Sequence, residues 1–375
     1  MTLSDEDNLT VLRAITKAIT RRDTFFAFRA PFSECISFGV QNGEDDEQSF
    51  GGIVPVFCIH PFVQTKETPS VTIRADIDAK EYLEQDSLQS KCRAVKSVSI
   101  ADNSTDKDVY LHKLEQLIRT LHSDDALQKV VLSNTLTEAH HLSPEQWSGV
   151  YQRLCQCYEN AYVVVFYTPL TGFWMAATPE KLLTCRDGRL LTMSLAGTRK
   201  AQVDNSIEWG EKERQEQKIV TDYISTLLRH EDIDFQVSDT FTLKAGNIEH
   251  LCNEFTIQSS SLDFKDKQHL ASLLHPTPAI AGLPKEQSIK MILQIEQHPR
   301  RYYGGYVGLI DDHGDFDFYV NLRSMEFDEH YCRYYAGGGI TKDSVPEQEW
   351  TELQNKFATL RRIVTEKTGL TCADI

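Results

Sequence analysis

The alternation of apolar and polar positions opens on a helix and then changes to strands. Leu9, Val11, Leu12, Ile15 and Ile19 recur at three- and four-residue spacing behind the acidic, capping run Ser4-Asp5-Glu6-Asp7. That pattern predicts an amphipathic helix ending at Arg21-Arg22. The runs TFFAFRA, CISFGV, IVPVFCI and SVTIRA follow, rich in aromatic and β-branched residues and separated by polar or glycine-containing turns. The first 75 or so residues therefore read as a helix plus an antiparallel sheet. From 85 to 108 the periodicity fades into a Ser-, Asp- and Lys-rich stretch, the best candidate for a linker or mobile loop.

A second block begins after it. Helices are predicted over 109–122 and 144–158, with strands at KVVLSNTL and AYVVVFYT. A long helix over 211–229 buries Ile219, Val220, Tyr223, Ile224, Leu227 and Leu228. Strand-like sequence around 248–258 precedes helices over 265–274 and 285–297. Three strands, YYGGYVGLI, DFDFYVNLRSM and YCRYYAGGG, lead to a closing helix over 346–365. Helices mixed with adjacent hairpins, without a sustained βαβ rhythm, predict an α+β fold with large antiparallel sheets.

Composition narrows the function classes. With 41% hydrophobic and 25% charged residues the chain is of ordinary globular type. A net charge of −16 without clustered Lys and Arg excludes a nucleic-acid surface, which needs cations against phosphates. An anionic ligand would need a local remedy: a bound cation, a few placed Arg or Lys, or backbone amides at a tight glycine turn. The nine cysteines are odd in number, scattered and free of CxxC spacing, which fits reduced thiols in a cytoplasm better than disulfides or zinc. The acidic N-terminus and the lack of any 18-residue apolar run predict neither signal peptide nor membrane span.

Several residues could carry chemistry. On the long helix Glu213 and Glu216 share a face beside the apolar stripe, and on the closing helix Glu349, Glu352 and Lys356 flank Trp350, Leu353, Phe357 and Leu360. Two helices could thus offer carboxylates to one cleft, a set that suits magnesium with its retained waters, or the glutamates are solvated flanks. Gly337-Gly338-Gly339 ends a strand, either as a hairpin or to bring amides close to an anion. Ala196-Gly197-Thr198 reads the same two ways. Lys129 stands at the mouth of an apolar strand, as a base or as an edge lysine reaching water. Glu180 follows another strand, where a buried carboxyl could keep its proton and act as an acid, or simply turn the chain. His250 and His275 have no partner at metal spacing and are structural or substrate-facing at most.

In their order along the chain, KVVLS, ATPEKLL, SLAGTRK, KERQEQ, HPTPAIAGLP, YYGGYVG, VNLRS, YAGGGI and PEQEWTELQNK resemble the chorismate-utilising family of isochorismate, salicylate, anthranilate and aminodeoxychorismate synthases. The resemblance covers about 129 to 356. It implies two large antiparallel sheets packed together, helices outside and a cleft between, with 1–100 a helix-plus-sheet portion of the same fold and 101–375 the chorismate-binding catalytic region. It implies magnesium on Glu216 and Glu352, with Glu213 a second-shell or water-mediated helper. Arg323 and Tyr303 would hold substrate carboxylates, Gly337 and Gly339 would donate amides, and Ala196, Gly197 and Thr198 would lie beside the ring.

The resemblance also implies a choice of product. Members that use water carry Lys at the position of Lys129, whereas anthranilate synthases carry Gln and use ammonia. Aminodeoxychorismate synthases use a lysine within the loop that here reads Leu195-Ala196-Gly197-Thr198. Salicylate synthases tend to have Thr where this chain has Ala279. These matches point to isochorismate synthase, with Lys129 as base and Glu180 as acid, acting as a cytoplasmic monomer without a glutaminase subunit. HPTPAIAGLP and the short length favour the menaquinone branch over the siderophore one. A salicylate synthase or a silent chorismate-binding protein is the alternative. Three departures stand out: Asn134 where the family has Arg, Gln217 where it has His, and Gly338 where it has Ala.

Overall fold

The structure is a computed structural model that describes residues 3–43, 54–85, 88, 99–100, 106–201, 208–245, 248–258 and 262–365. Helix α1 (Leu3–Arg21) leads into β1 (Phe25–Arg29), β2 (Ser37–Val40), β3 (Val56–His60) and β4 (Val71–Arg74), then α2 (Ala79–Glu84) and α3 (Lys107–Ser123). Next come β5 (Lys129–Ala139), α4 (Pro144–Cys157), β6 (Tyr162–Thr168), β7 (Gly172–Thr178), β8 (Lys181–Arg186) and β9 (Arg189–Lys200). The chain continues through α5 (Glu211–His230), β10 (Phe235–Val237), β11 (Phe241–Ala245), β12 (Ile248–Gln258), α6 (Phe264–Leu274), β13 (Gly282–Leu283) and α7 (Lys285–Ile295). It closes with β14 (Tyr306–Ile310), β15 (Phe316–Val320), β16 (Ser324–Phe327), β17 (Tyr331–Ile340) and α8 (Pro346–Thr365).

The strands form an eight-stranded sheet in the order β13-β5-β17-β16-β7-β6-β1-β2. The second sheet has nine strands, β10-β12-β9-β8-β15-β14-β3-β4, with β11 on β12. Alternation along each strand decides what lies on either face. In β6, Tyr162, Val164 and Phe166 join Phe57, Trp174 and Tyr302 in the layer between the sheets, while Val163 and Val165 face the helices. Both faces of β6 are buried, which is why its sequence is an unbroken apolar run. α1, α4, α3 and α8 belong to the side of the first sheet, and α5 lies on β9 and β12 of the second. The architecture is α+β, two packed antiparallel sheets with helices outside.

Local chemistry sets the helix ends. Ser143 and Gln146 form a reciprocal capping box at α4 with Pro144 in its first turn, and Asp263 and Asp266 do the same for α6. On α5, Val220, Ile224 and Leu228 repeat every fourth residue and are buried.

Two sequence expectations change. The N-terminal strands do not make one sheet: β1 and β2 join the first sheet through β6, and β3 and β4 join the second through β14. The run DFDFYVNLRSM is not one strand, because the chain leaves the second sheet after Val320 and enters the first at Ser324. Arg323 makes that crossing with φ +45, a left-handed conformation uncommon for a residue with a side chain. The candidate linker from 85 to 108 lies largely outside the described residues. Among the described residues no helix is long and apolar enough to cross a membrane.

Candidate active site

Where β5 and β17 of one sheet diverge from β9 and β12 of the other, a cleft opens that holds about 880 Å³ with its mouth included. Its walls carry Lys129, Glu180, Ala196, Gly197, Thr198, Glu216, Tyr303, Arg323, Gly337, Gly339 and Glu352. Glu213 is absent from the lining. It lies against the two glycines nearby: a Cβ added at Gly210 would meet its Oε2, and one at Gly197 would meet its own Cβ at 3.0 Å.

Lys129 begins β5 and is buried, and the strand's alternation puts Lys129 and Val131 on the pocket face. Its aliphatic chain occupies the space a side chain at Gly339 would need, since a Cβ there would stand 2.4 Å from Lys129 Cε. Gly337 makes similar room for Tyr303, whose hydroxyl would lie 3.0 Å from an added Cβ. Ser133 N–H goes to Glu296 and Val131 N–H to Ala281, so neither bonds the facing Gly337 and Gly339. Both glycines therefore turn N–H and C=O away from β5, past the end of β16, and Gly337 O accepts from Lys356 Nζ at 2.8 Å. Those are the amides an anion could reach.

Glu180 faces Lys129 from the turn between β7 and β8. Burial pushes its carboxyl up to about 8, against the pull of Lys129, of the Thr277 hydroxyl at 3.5 Å and of Arg323. A neutral carboxyl at pH 7 can donate a proton. Desolvation pushes the half-buried Arg323 down to about 10, still cationic at neutral pH. Its Nη2 lies 2.9 Å from His250 Nε2. Burial and the Arg323 charge hold His250 well below its ordinary value, so the ring is neutral, Nε2 accepts from Arg323, and Nδ1–H donates to Gly197 O at 3.2 Å. Gly197 has φ +68 and sits at a bulge where Thr198 faces His250 and Ala196 faces Leu251.

Opposite them, Glu216 from α5 and Glu352 from α8 line the same cleft. Burial raises Glu216, opposed by Lys129 and Lys212 and reinforced by Glu352 and Glu349. Burial also works on Glu352, but Lys356, 2.8 Å away, together with Lys212 and Lys129 outweighs it and holds that carboxyl low. Glu352 and Glu216 repel each other, which favours a cation between them. Among the described residues no three His, Cys, Asp or Glu side chains group as a metal cage. The donors present fit an ion that takes two carboxylates and fills its remaining positions with water and substrate oxygen, as magnesium does.

The sequence model of the family described as "Chorismate binding enzyme" matches residues 56–365. The chain belongs to the chorismate-binding enzyme family. It is 31% identical over 216 residues to the isochorismate synthase EntC of Escherichia coli K12, covering 55% of each chain. It is 29% identical over 315 residues to the isochorismate synthase MenF of the same organism, covering 78% of this chain and 71% of that one. The chain thus spans about half the length of EntC. Its fold matches a crystal structure of a putative 2,3-dihydroxybenzoate-specific isochorismate synthase, DhbC, from Bacillus anthracis. The TM-score is 0.73 at 20% identity, covering 93% of this chain and 99% of that one. Anthranilate synthase component I of Streptococcus pneumoniae has the same fold at TM-score 0.64 and 16% identity, with 91% and 90% of the chains covered.

In this member of the chorismate-binding family the three departures acquire places. Asn134 lies on the face of β5 away from Lys129 and turns Oδ1 to the N–H of Thr135 at 2.8 Å, so it does not touch the cleft. Gln217 is buried behind the bulged stretch of β9 at 195–198. Its Oε1 accepts from Ala196 N at 2.8 Å, and its Nε2 donates to Ser194 O at 3.0 Å and to Asn253 Oδ1 at 2.9 Å. An amide suits this position because it accepts and donates at once. At Gly338 an added Cβ would stand 3.4 Å from Glu349 Oε2, an ordinary contact distance.

Sequence reasoning placed Glu349 and Lys356 on a helix flank without a role of their own and left His250 as structural or substrate-facing at most. Glu349 is buried, paired with Lys212 at 2.9 Å, and it acts on Glu216. Its position three residues before Glu352 was the available signal, and the pocket-facing Lys356 stands four after. Nothing in the sequence around His250 indicated Arg323 as its partner, because 73 residues separate them.

Proposed function

We propose that the chain is an isochorismate synthase that converts chorismate to isochorismate with magnesium. The reading rests on one observation: Lys129 and Glu180 face each other inside a buried cleft whose other wall carries Glu216 and Glu352. Relatives named isochorismate synthase lend it weight.

Glu216 and Glu352 would hold the ion, which supplies positive charge to the ring carboxylate of the substrate. Arg323 offers a planar fork to the enolpyruvyl carboxylate, fixed by its contact with His250, and the amides of Gly337 and Gly339 add neutral donors. The Tyr303 hydroxyl would add a hydrogen bond to a substrate carboxylate. Lys129 accepts a proton from water as its oxygen bonds carbon 2, the ring double bonds shift, and the bond from carbon 4 to its hydroxyl breaks. Glu180 gives its proton to that hydroxyl, which leaves as water. One water enters and one leaves, so the product is an isomer, and exchange with solvent returns Lys129 and Glu180 to their starting states.

We favour the menaquinone branch, a cytoplasmic setting and a monomer acting without a glutaminase. Incubation with chorismate and magnesium, followed by product separation, tests the activity. Isochorismate alone is the expected product. Salicylate with pyruvate would assign the chain to the lyases instead, and binding without turnover would make it a silent chorismate binder.

A further inference from the structure

Strand β5 carries the pocket lysine, and its outer neighbour runs out almost at once. β13 has two residues, Gly282 and Leu283, paired with Val130 and Lys129. Beyond them Val131 N–H still reaches Ala281 O at 2.9 Å, but Val131 C=O and Ser133 N–H look out where β13 no longer runs. Two side chains take the missing strand's place. Arg300 Nη2 donates to Val131 O at 2.7 Å, and Glu296 Oε1 accepts from Ser133 N at 2.7 Å.

The same guanidinium reaches a second wall. Arg300 Nη1 donates to Ile280 O at 2.9 Å, while Nε and Nη2 grip the Glu296 carboxylate at 2.9 and 2.6 Å. Ile280 lines the cleft, and its N–H closes a turn on Thr277 O at 2.9 Å. Thr277 is the residue whose hydroxyl faces Glu180. One nitrogen of Arg300 therefore holds the strand of Lys129, and another holds the segment against Glu180. The pair is nearly inaccessible, with side chains 2% and 3% exposed, and the guanidinium lies 4.3 Å from the Phe62 ring.

Desolvation largely offsets the attraction in a buried ion pair, so stability is a poor explanation for this one. Fixed geometry is what it supplies. We propose that Glu296 and Arg300 are positioning residues that set the separation of Lys129 and Glu180 by tying β5 to the segment at 277–281. The proposal rests on Lys129 and Glu180 being the reacting pair. Lysine cannot replace Arg300, because one ammonium cannot span two carbonyls and both carboxylate oxygens in a plane.

The test uses the full chain with Arg300→Lys, and Glu296→Gln as a second variant should the first not fold. Thermal melts come first, so that rates are read where each variant is folded. The kcat of Arg300→Lys should fall about 100-fold, the cost of roughly 1 Å of misplacement, with KM within about threefold. The alkaline limb of the pH–rate profile should also move, because Lys129, Thr277 and Arg323 are the groups that act on Glu180. A role confined to folding would lower the melting temperature and leave kcat and the limb in place, and that result overturns the proposal. If the unaltered protein makes no isochorismate, the functional reading falls by itself. The clamp is then judged by carbon-13 titration of Glu180, assigned with Glu180→Gln; an unmoved midpoint in the variants overturns it.

Discussion

In the proposed reaction Glu180 and Lys129 have opposite tasks, and substitution separates them. Lys129→Gln should remove turnover by a factor of about 10²–10⁴ while calorimetry finds chorismate binding within about threefold, because the base acts on water. Glu180→Gln should lose turnover on the same order. In the unaltered enzyme the rate should fall as pH rises through about 8, where Glu180 gives up the proton it must donate. The same shift bears on stability. The folded carboxyl titrates near 8 and the unfolded one near its ordinary 4.5, so between those values folding must retain a proton that the unfolded chain has lost. Its contribution is complete below 4.5 and drains away as pH climbs to about 8. Melting curves should therefore show Glu180→Gln gaining on the unaltered protein as pH rises from 5 to 8, and no gain would contradict the burial argument.

Among the strands, β17 puts two kinds of glycine side by side. At Gly339 an added methyl would collide with Lys129 Cε at 2.4 Å, whereas at Gly338, on the opposite face, it would meet Glu349 Oε2 at 3.4 Å. Gly339→Ala should displace the lysine and lower kcat about 10- to 100-fold with the fold intact, while Gly338→Ala should stay within about threefold. Equal activity in the two variants would show that Lys129 does not need that space. The elements themselves were largely legible beforehand: α3, α4, α5 and α8 and strands β5, β6 and β12 lie within a residue or a few of their periodic patterns. The short β10, β11 and β13 were missed, since two to five residues of mixed polarity carry no period to read.

The cleft as a unit couples distant segments through charge. Glu216, Glu349 and Glu352 are opposed by Lys212 and Lys356, whereas Lys129 has to be uncharged to act as a base, and a dianionic substrate would add further negative charge. A divalent ion on Glu216 and Glu352 would offset that negative charge. Excess chelator should abolish product formation, and magnesium added back should restore it. Full activity after chelation would remove the ion from the reaction. Glu352→Ala should erase both activity and magnesium dependence, leaving the fold in place by circular dichroism.

Local sequence fixes how each segment buries itself, because burial of one face of a helix or strand leaves its period in the residues. It also fixed the chemistry available: the glutamates of KERQEQ and EWTE, the glycines of YAGGGI, and the lysine of KVVLS were identifiable before any coordinates. Contacts across the chain leave no such period. That Val320 and Ser324 belong to different sheets, that His250 orients Arg323, and that Glu296 and Arg300 substitute for an absent strand beside Lys129 follow from how two sheets meet. Glu216 and Glu352, 136 positions apart in the numbering, reach one cleft because α5 and α8 pack over its two sides, a placement decided by the burial of whole faces rather than by any neighbouring residue.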